Sequence, residues 1–174
     1  MKTILGFDIS STTTAYCVFQ IDNKNIIKIE HGFFKPKKDG SIFERLLKLE
    51  ENINNILDKY KPDEIAIEDI AQFMQGKSTA NTIITLALFN RIVGLTCHKK
   101  NLSPTLYNVL RIRHTIKTNK KPPKKEEIPE VLENKLNIKF PYLYDKKGNI
   151  KKESYDISDA FAVCLTHAIK SKLI

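Results

Sequence analysis

Residues 64 to 110 follow the order strand, helix, strand, and this succession constrains the fold more than any other feature. Glu64 to Glu68 is a short β-rich run after the helix-breaking sequence Lys61-Pro62-Asp63. Ser78 to His98 carries the closely spaced apolar residues of a helix, and Pro104 to Leu110 has the composition of a strand. Because a strand, a crossover helix and a further strand in one sheet run in parallel, the sequence predicts parallel pairing here.

The first third of the chain shows a local pattern instead. It predicts three strands, at Thr3 to Ile9, Thr14 to Ile21 and Ile26 to Phe34, with the turn-forming residues 22 to 25 between the last two. Short connections of this kind produce an antiparallel meander. Together with the two parallel strands, the meander predicts an α/β fold with a five-stranded mixed sheet flanked by helices.

Helix signals are clearest from Ser41 to Tyr60. Apolar residues recur there at three- and four-residue spacing, Ser41 is a candidate N-cap, and Glu44 completes a capping box. Further helices are predicted at Glu126 to Leu136 and at Ser154 to Leu173. The helix from Ser78 to His98 is apolar over more than one face, which indicates either a core helix or a helix that packs on a second subunit.

The chain has the length of one ordinary domain. Its 174 residues predict a single domain over 1–174. No apolar run of about 18 residues and no basic-then-apolar start is evident, so we expect a cytoplasmic protein without a membrane partner. The cysteines are scattered in apolar stretches and are interpreted as core thiols, and the late-helix histidines as packing or capping residues. These residues are Cys17, Cys97, Cys164, His98 and His167.

Basic residues outnumber acidic ones. The formal net charge is +9, from 29 Lys and Arg against 20 Asp and Glu, which suits a polyanionic partner. Lys117 to Lys125 is a dense basic run that contains Pro122 and Pro123 and is therefore predicted to be a loop. A further run comprises Lys146, Lys147, Lys151 and Lys152. Such runs are either solvated surface or nucleic-acid contacts, and composition alone leaves both open.

Four carboxylates stand at unusual positions. Asp8 lies near the end of the first strand, Glu68 ends the fourth, and Asp156 and Asp159 share one face of the last helix. Taken singly, each could be a turn residue or a helix-start acid. Taken together, they predict a cluster that repels itself unless cations fill it. Carboxylates without a His or Cys cluster favour magnesium or manganese, and a pair of such ions about 4 Å apart can hydrolyse a phosphodiester.

Several segments resemble a known nuclease family in order and spacing. The RuvC-type Holliday junction resolvases, which have the RNase H-like fold, are similar over nearly the whole chain. The similar segments are Gly6 to Ser11, Thr14 to Val18, Ile65 to Glu68, Asp156 to Ala160 and Leu165 to Ala168. The resemblance implies that the four acids hold Mg²⁺ as a pair of ions, with Mn²⁺ able to substitute. It also implies a homodimer that nicks opposed strands of a four-way DNA junction.

The resemblance further implies which residues contact DNA. Phe73 falls where the family places an aromatic wedge, although a core Phe is an equal interpretation, and Ser78 to His98 falls on the dimerisation helix. Family lysines near the active site fall on Arg113 and near Lys124. The predicted DNA-contacting residues are Phe73, Lys77, Arg111, Arg113, Lys117, Lys120, Lys121 and Lys124. A glycine-rich loop of the cellular enzymes is replaced by residues 120–125, which leaves cleavage preference and junction selectivity open.

Other functions remain as alternatives. A nuclease of the same fold could cut flaps, other branched DNA or RNA–DNA hybrids. The residues from Asp8 to Thr13 also fit the phosphate turn of actin-like ATP-binding proteins, but those need two lobes and a glycine-rich loop, and this chain has six Gly. A basic clamp without catalysis is the non-enzymatic alternative. Abundant Lys, Ile and Asn indicate an A·T-rich genome, such as a phage or virus of a bacterial cell.

Overall fold

A mixed sheet forms the centre of the protein, which a computed structural model describes at residues 1–36, 39–70 and 79–174. The strands are β1 (Lys2–Ile9), β2 (Thr14–Asp22), β3 (Asn25–Phe34), β4 (Glu64–Glu68) and β5 (Thr105–Tyr107). Their order in the sheet is β3-β2-β1-β4-β5. The meander β1-β2-β3 is antiparallel, whereas β4 pairs in parallel with both β1 and β5. The predicted mixed sheet is therefore confirmed.

Five α-helices flank this sheet in the described part of the chain. They are α1 (Ile42–Tyr60), α2 (Ala80–Lys99), α3 (Val109–Ile116), α4 (Ile128–Leu136) and α5 (Lys152–Lys170). A 3-10 helix, Lys125–Glu127, precedes α4. The predicted capping box of α1 is present, since the Ser41 hydroxyl accepts from the Glu44 amide at 3.2 Å and the Glu44 carboxylate accepts from the Ser41 amide at 2.6 Å.

Several predicted boundaries differ from those of the structure, and α4 begins at Ile128 rather than at Glu126. The strand predicted at residues 104–110 ends at Tyr107, because the Asn108 side chain accepts from the Arg111 amide at 2.8 Å and starts α3, a helix that was not predicted. Helix α2 is capped by Thr79, and the predicted start at Ser78 lies outside the described residues. The last helix, α5, begins two residues earlier than predicted and ends at Lys170.

Alternation along β1 divides the core into two layers. Leu5 and Phe7 pack on the face covered by α1 and α2, whereas Ile4 belongs to the cluster on the face covered by α5. Gly6 allows α5 to approach closely, since a Cβ there would lie 2.8 Å from the Cys164 sulfur and 3.0 Å from the Ala160 carbonyl oxygen. The end of β1 is thereby held against the first half of α5.

Helix α2 is long and apolar enough, by length and composition alone, to cross a membrane. The sequence pattern did not identify this apolar stretch, and a helix of a protein core meets the same criterion, so the absence of a membrane-spanning segment stays a prediction. Phe89, Val93 and Cys97 of α2 are buried against the sheet. All three cysteines are buried free thiols, as predicted. His167 is buried between Tyr107 and Glu64, which agrees with its interpretation as a packing residue.

Candidate active site

Neighbouring parallel strands bring the first two predicted acids together. Phe7 of β1 pairs with Ile67 of β4, so Asp8 and Glu68 are the next residues on adjacent strands. Side chains alternate across a sheet, and both acids therefore project on the face that α5 covers, like Gly6. Parallel strands thus bring together carboxylates that are far apart in sequence.

Helix α5 contributes the other two acids. Asp156 and Asp159 are three residues apart and project from one side of the helix. One oxygen from each of Asp8, Asp156 and Asp159 lies within 4.8 Å of the others. Asp156 is buried, and the other two are partly buried. The structure thereby brings three of the four predicted acids into one compact cluster.

Glu68 stands beside this cluster rather than inside it. It lines a small cavity together with Asp8 and Asn90. Burial, followed by the negative charge of Asp159, raises the pKa of Glu68 to about 7, against the opposing charges of Lys125 and Arg113. The negative charge of Asp159 on α5 therefore acts on Glu68, and the charged form of Glu68 is destabilised.

Burial and neighbouring negative charges also disfavour the ionised forms of the clustered acids. Burial, and then the charges of Glu68 and Asp159, raise the pKa of Asp8 well above its ordinary value. Burial also raises the pKa of Asp159, although Lys125 and Arg113 oppose this shift. Carboxylates crowded in a poorly solvated space disfavour each other's ionised forms. A cation among them would reverse that effect.

Lys125 supplies a positive charge at this position. Its Nζ lies 3.0 Å from Asp156 Oδ1 and 2.7 Å from Asp159 Oδ2. Burial acts to lower the pKa of this ammonium, but the charges of Asp159 and Asp156 outweigh burial and raise it. Sequence reasoning placed Lys125 only at the end of a basic run. No local signal distinguished it from Lys124, which is exposed.

The donor set fits a divalent metal ion. All the candidate ligands of Asp8, Glu68, Asp156 and Asp159 are carboxylate oxygens, which hard cations such as Mg²⁺ and Mn²⁺ prefer. Three of them already converge within bonding range of a shared ion. The raised pKa values of Asp8, Glu68 and Asp159 indicate that the protein alone neutralises this charge incompletely. Asp8, Asp156 and Asp159 are therefore the residues that could hold a metal ion, with Glu68 beside them.

The predicted DNA-contacting residues fall into three groups. Arg113 lies near the acids, since its positive charge opposes the raised pKa values of Glu68 and Asp159. Its buried Nε has no hydrogen-bond partner among the residues that the structure describes.

Arg111 is exposed, with its guanidinium 5.8 Å from the Tyr107 ring centre. Four more are exposed around the loop after α3: Lys117, Lys120, Lys121 and Lys124. Phe73 and Lys77 lie outside the described residues.

Two residues of α2 support the site and were missed by sequence reasoning. The Asn90 side-chain amide donates to the Glu68 backbone carbonyl at 2.8 Å. Arg91 donates to Asn90 Oδ1 and to the Asp69 carboxylate, both at 2.9 Å. The available signal was an Asn in the apolar run 86–93, because a buried polar side chain requires a partner.

A mixed sheet with carboxylates at the ends of two adjacent strands and on the covering helix is the arrangement of RNase H-like, metal-dependent nucleases. Within that class, the chain belongs to the RuvC family. The family model described as "Crossover junction endodeoxyribonuclease RuvC" matches residues 4–167. This match spans both strand acids and the helix pair.

RuvC proteins of two bacteria are similar to almost the whole of this chain. The crossover junction endodeoxyribonuclease RuvC of Helicobacter pylori is 31% identical over 170 residues, which cover 98% of each chain. The corresponding protein of Fusobacterium nucleatum is 29% identical over 172 residues, covering 98% of this chain and 83% of that protein. Thermus thermophilus RuvC, solved in complex with a Holliday junction substrate, has the same fold. The two structures superpose with a TM-score of 0.73 and 15% sequence identity. The superposition covers 99% of this chain and 96% of the Thermus chain.

Proposed function

We propose that this protein is a divalent-metal-dependent, structure-specific DNA endonuclease that resolves four-way junctions by paired symmetric nicks. The observation that carries the proposal is the convergence of Asp8, Asp156 and Asp159 within 4.8 Å in a chain of the RuvC family. The relatives' name and the junction bound by the Thermus protein support the substrate. Family membership favours this function over an actin-like ATP-binding protein. The protein would act in the cytoplasm of a bacterial or phage-infected cell.

Each acid has a distinct place in the proposed mechanism. Asp8, Asp156 and Asp159 hold the metal, which we infer to be a pair of Mg²⁺ ions or, in substitution, Mn²⁺, and Glu68 completes the ligand set from the neighbouring strand. When bound, such ions supply an activated water and stabilise the leaving oxygen of a phosphodiester. The protein's own task is to hold these oxygens close together, and bound cations would favour their ionised forms.

Basic residues would position the DNA strand over these acids. Arg113, whose Nε finds no partner in the described ranges, lies beside Glu68 and Asp159 and is placed to donate to a phosphate oxygen. Once Asp156 and Asp159 are committed to metal, the Lys125 ammonium is available to do the same. The exposed lysines at 117, 120, 121 and 124 would hold the flanking backbone, with Arg111 beside them. Phe73 and Lys77 remain predicted contacts.

Paired nicking requires a pair of sites. A homodimer provides them with the approximate two-fold symmetry of the junction itself. Helix α2 offers the candidate interface, because Ile84, Leu88 and Leu95 are exposed apolar residues on it.

The test is a cleavage assay on four-way junctions, flaps, RNA–DNA hybrids and linear duplexes with Mg²⁺ or Mn²⁺. We expect junction cleavage that EDTA abolishes. Asp8→Asn, Glu68→Gln, Asp156→Asn and Asp159→Asn should each lose cleavage and keep junction binding. Asp58→Asn, at an exposed carboxylate of α1, serves as the matched control and should cut normally. Full cleavage in EDTA, or an active Glu68→Gln protein, would contradict the metal site, and preferred cutting of hybrids would contradict the substrate.

A further inference from the structure

A short β-hairpin leads directly into the helix that carries two of the acids. Tyr144 and Ile150 form an antiparallel bridge, and the Lys151 amide donates to the Leu143 carbonyl at 2.8 Å. Gly148 occupies the tip with φ +82°, a conformation that favours glycine. We call residues 143–151 the basic hairpin. It is an ordered element where the sequence indicated only a basic run.

Asp145 organises the tip of the basic hairpin. Its carboxylate accepts from the backbone amides of Lys147 and Asn149 at 2.8 and 2.9 Å, and from the Asn149 side chain at 3.1 Å. These hydrogen bonds, led by the Asn149 amide, lower the pKa of Asp145. The acid is therefore engaged by the backbone of the turn, and it fixes the direction in which the tip projects.

The base of the hairpin is fixed to α5. Ser154 is fully buried, and its hydroxyl accepts from the Leu143 amide at 2.9 Å and donates to the Leu143 carbonyl at 3.3 Å. Lys35 of the β3 connection pairs with Glu153 on the first turn of α5. Phe140, just before the hairpin, packs edge-on against Phe161 of α5. The hairpin thus moves with α5 rather than as a free loop.

The hairpin and the start of α5 present four lysines to solvent. Lys146, Lys147, Lys151 and Lys152 are all exposed. In the described ranges none of them lies within 4.0 Å of a carboxylate oxygen, whereas Lys2, Lys48 and Lys99 are each paired with an acid. An ordered element with several uncompensated ammonium groups costs electrostatic repulsion, which a polyanion would relieve.

The position of the hairpin relates these charges to the acidic cluster. Asp156 follows Lys152 by one helical turn, which is about 6 Å along the axis. The chain from Lys152 to Lys147 can span at most about 17 Å. The tip therefore lies within roughly 23 Å of Asp156, which corresponds to about seven steps of a DNA strand at 3.4 Å each. Residues 117–125 approach the same acids by a separate route. Lys125 begins the 3-10 helix and pairs with Asp156.

We propose that the basic hairpin binds the phosphate backbone of the duplex arm being cut, within about seven nucleotides of the scissile phosphate. Its partner is DNA, because in the described ranges these lysines form no ion pair, stand on an ordered element and lie next to a site of phosphodiester chemistry. This inference rests on the proposed function. It adds a DNA-binding surface distinct from the 117–125 loop.

The experiment measures junction affinity in EDTA at several salt concentrations between 50 and 200 mM. The test protein carries Lys146→Gln and Lys147→Gln, and the matched control carries Lys170→Gln and Lys172→Gln. The control pair is also exposed but lies at the other end of α5, about 28 Å away. Removing one lysine–phosphate interaction should flatten the slope of log K against log salt by about 0.9, so we expect a slope about 1.8 smaller for the hairpin variant alone. Equal slopes for both variants would overturn the inference.

A neutral phosphate analogue locates the bound phosphates. Methylphosphonates placed up to about seven nucleotides from the cut should weaken binding of the natural protein but not of the hairpin variant. An equal loss of affinity in both proteins would place the interaction elsewhere and overturn the inference. A natural protein that binds no junction at all would refute the proposed function, whereas normal binding and cleavage with unchanged slopes would refute only the role of the hairpin.

Discussion

The side-chain amide of Asn90 donates a 2.8 Å hydrogen bond to the backbone carbonyl of Glu68. Asn90 is almost fully buried in the middle of α2, so the helix directly fixes the end of β4. Arg91 extends this contact by binding both Asn90 and Asp69. The acid on β4 is therefore oriented by a helix that contributes no carboxylate of its own to the cluster.

Replacing Asn90 by Leu should weaken the metal site as well as the fold. The Glu68 carbonyl would lose its buried donor, at a cost of about 1–3 kcal/mol in unfolding free energy. Groups that orient metal ligands typically contribute about 10- to 100-fold in metal affinity or activity, and we expect a loss in that range. Titration calorimetry with Mn²⁺ and urea unfolding measure the two effects.

Thr96→Val is the matched control for Asn90→Leu. Thr96 is fully buried on the same helix, and its hydroxyl donates to the Ile92 carbonyl at 2.7 Å, away from the acids. We expect this variant to lose stability without losing Mn²⁺ affinity. Equal Mn²⁺ affinity in the Asn90 and Thr96 variants would show that Asn90 is only a structural residue.

Lys125→Met should destabilise the metal-free protein and increase its stabilisation by metal. Without the ammonium, Asp156 and Asp159 lose a counter-charge that is only partly exposed to solvent, so we expect a loss of about 1–3 kcal/mol in EDTA. The metal would no longer compete with Lys125 for these oxygens. The rise in melting temperature on adding Mn²⁺ should therefore exceed that of the natural protein.

Lys124→Met removes the neighbouring lysine, which is exposed. It should leave both the stability in EDTA and the Mn²⁺ response unchanged. If Lys125→Met and Lys124→Met behaved alike, the ammonium bridge between the helix acids would contribute nothing to stability.

Glu64→Gln should reduce stability at neutral pH but not in acid. The hydrogen bond from Lys2, with a further contribution from His167, lowers the pKa of Glu64 from its ordinary 4.5, against the effect of burial. A carboxyl whose pKa falls on folding stabilises the protein above its unfolded pKa, and this stability is lost as the pH falls through the folded value. We expect a deficit of about 1 kcal/mol at pH 7 that is lost as the pH falls below 4.5 and through the folded pKa of Glu64. Urea unfolding at neutral and at acid pH measures this deficit, and a deficit that persisted in acid would contradict the role given to the Glu64 carboxylate.

Glu51→Gln, in an exposed pair with Lys48, should have a smaller effect on stability.

Charged residues on the outer face of α2 should separate the proposed dimer. Ile84 and Leu88 are 57% and 43% exposed, so Ile84→Glu and Leu88→Glu should yield folded monomers that lose paired nicking. Ile27→Glu, at an equally exposed position on β3, should leave assembly unchanged. Light scattering and a cruciform-plasmid assay test this. A natural protein that stayed monomeric on DNA and still made coordinated cuts would contradict the dimer mechanism.

The sequence alone did not determine whether Ile92 faces the sheet or a partner subunit. Ile84, Leu88 and Ile92 follow each other at four-residue spacing, and the sequence does not distinguish them as candidates for the interface. The structure places Ile92 partly buried against the sheet cluster and leaves the other two exposed. A helix with apolar residues on several sides does not indicate which side meets the sheet, because that depends on how the helix docks on the strands.

The sequence by itself determined the fold class and identified the four acids as candidates for the site. Local signals were enough for β1 to β4 and for the capping box of α1, but not for the Asn108 cap that starts α3. A carboxylate at a strand end is conspicuous next to Ile65 to Ile67. Only the tertiary structure decided that Lys125 lies between Asp156 and Asp159 and that Asn90 holds Glu68. These contacts join residues 22 to 34 positions apart, and no local periodicity encodes them. The physical reason is that a buried charge or amide takes whichever partner the folded chain brings within about 3 Å.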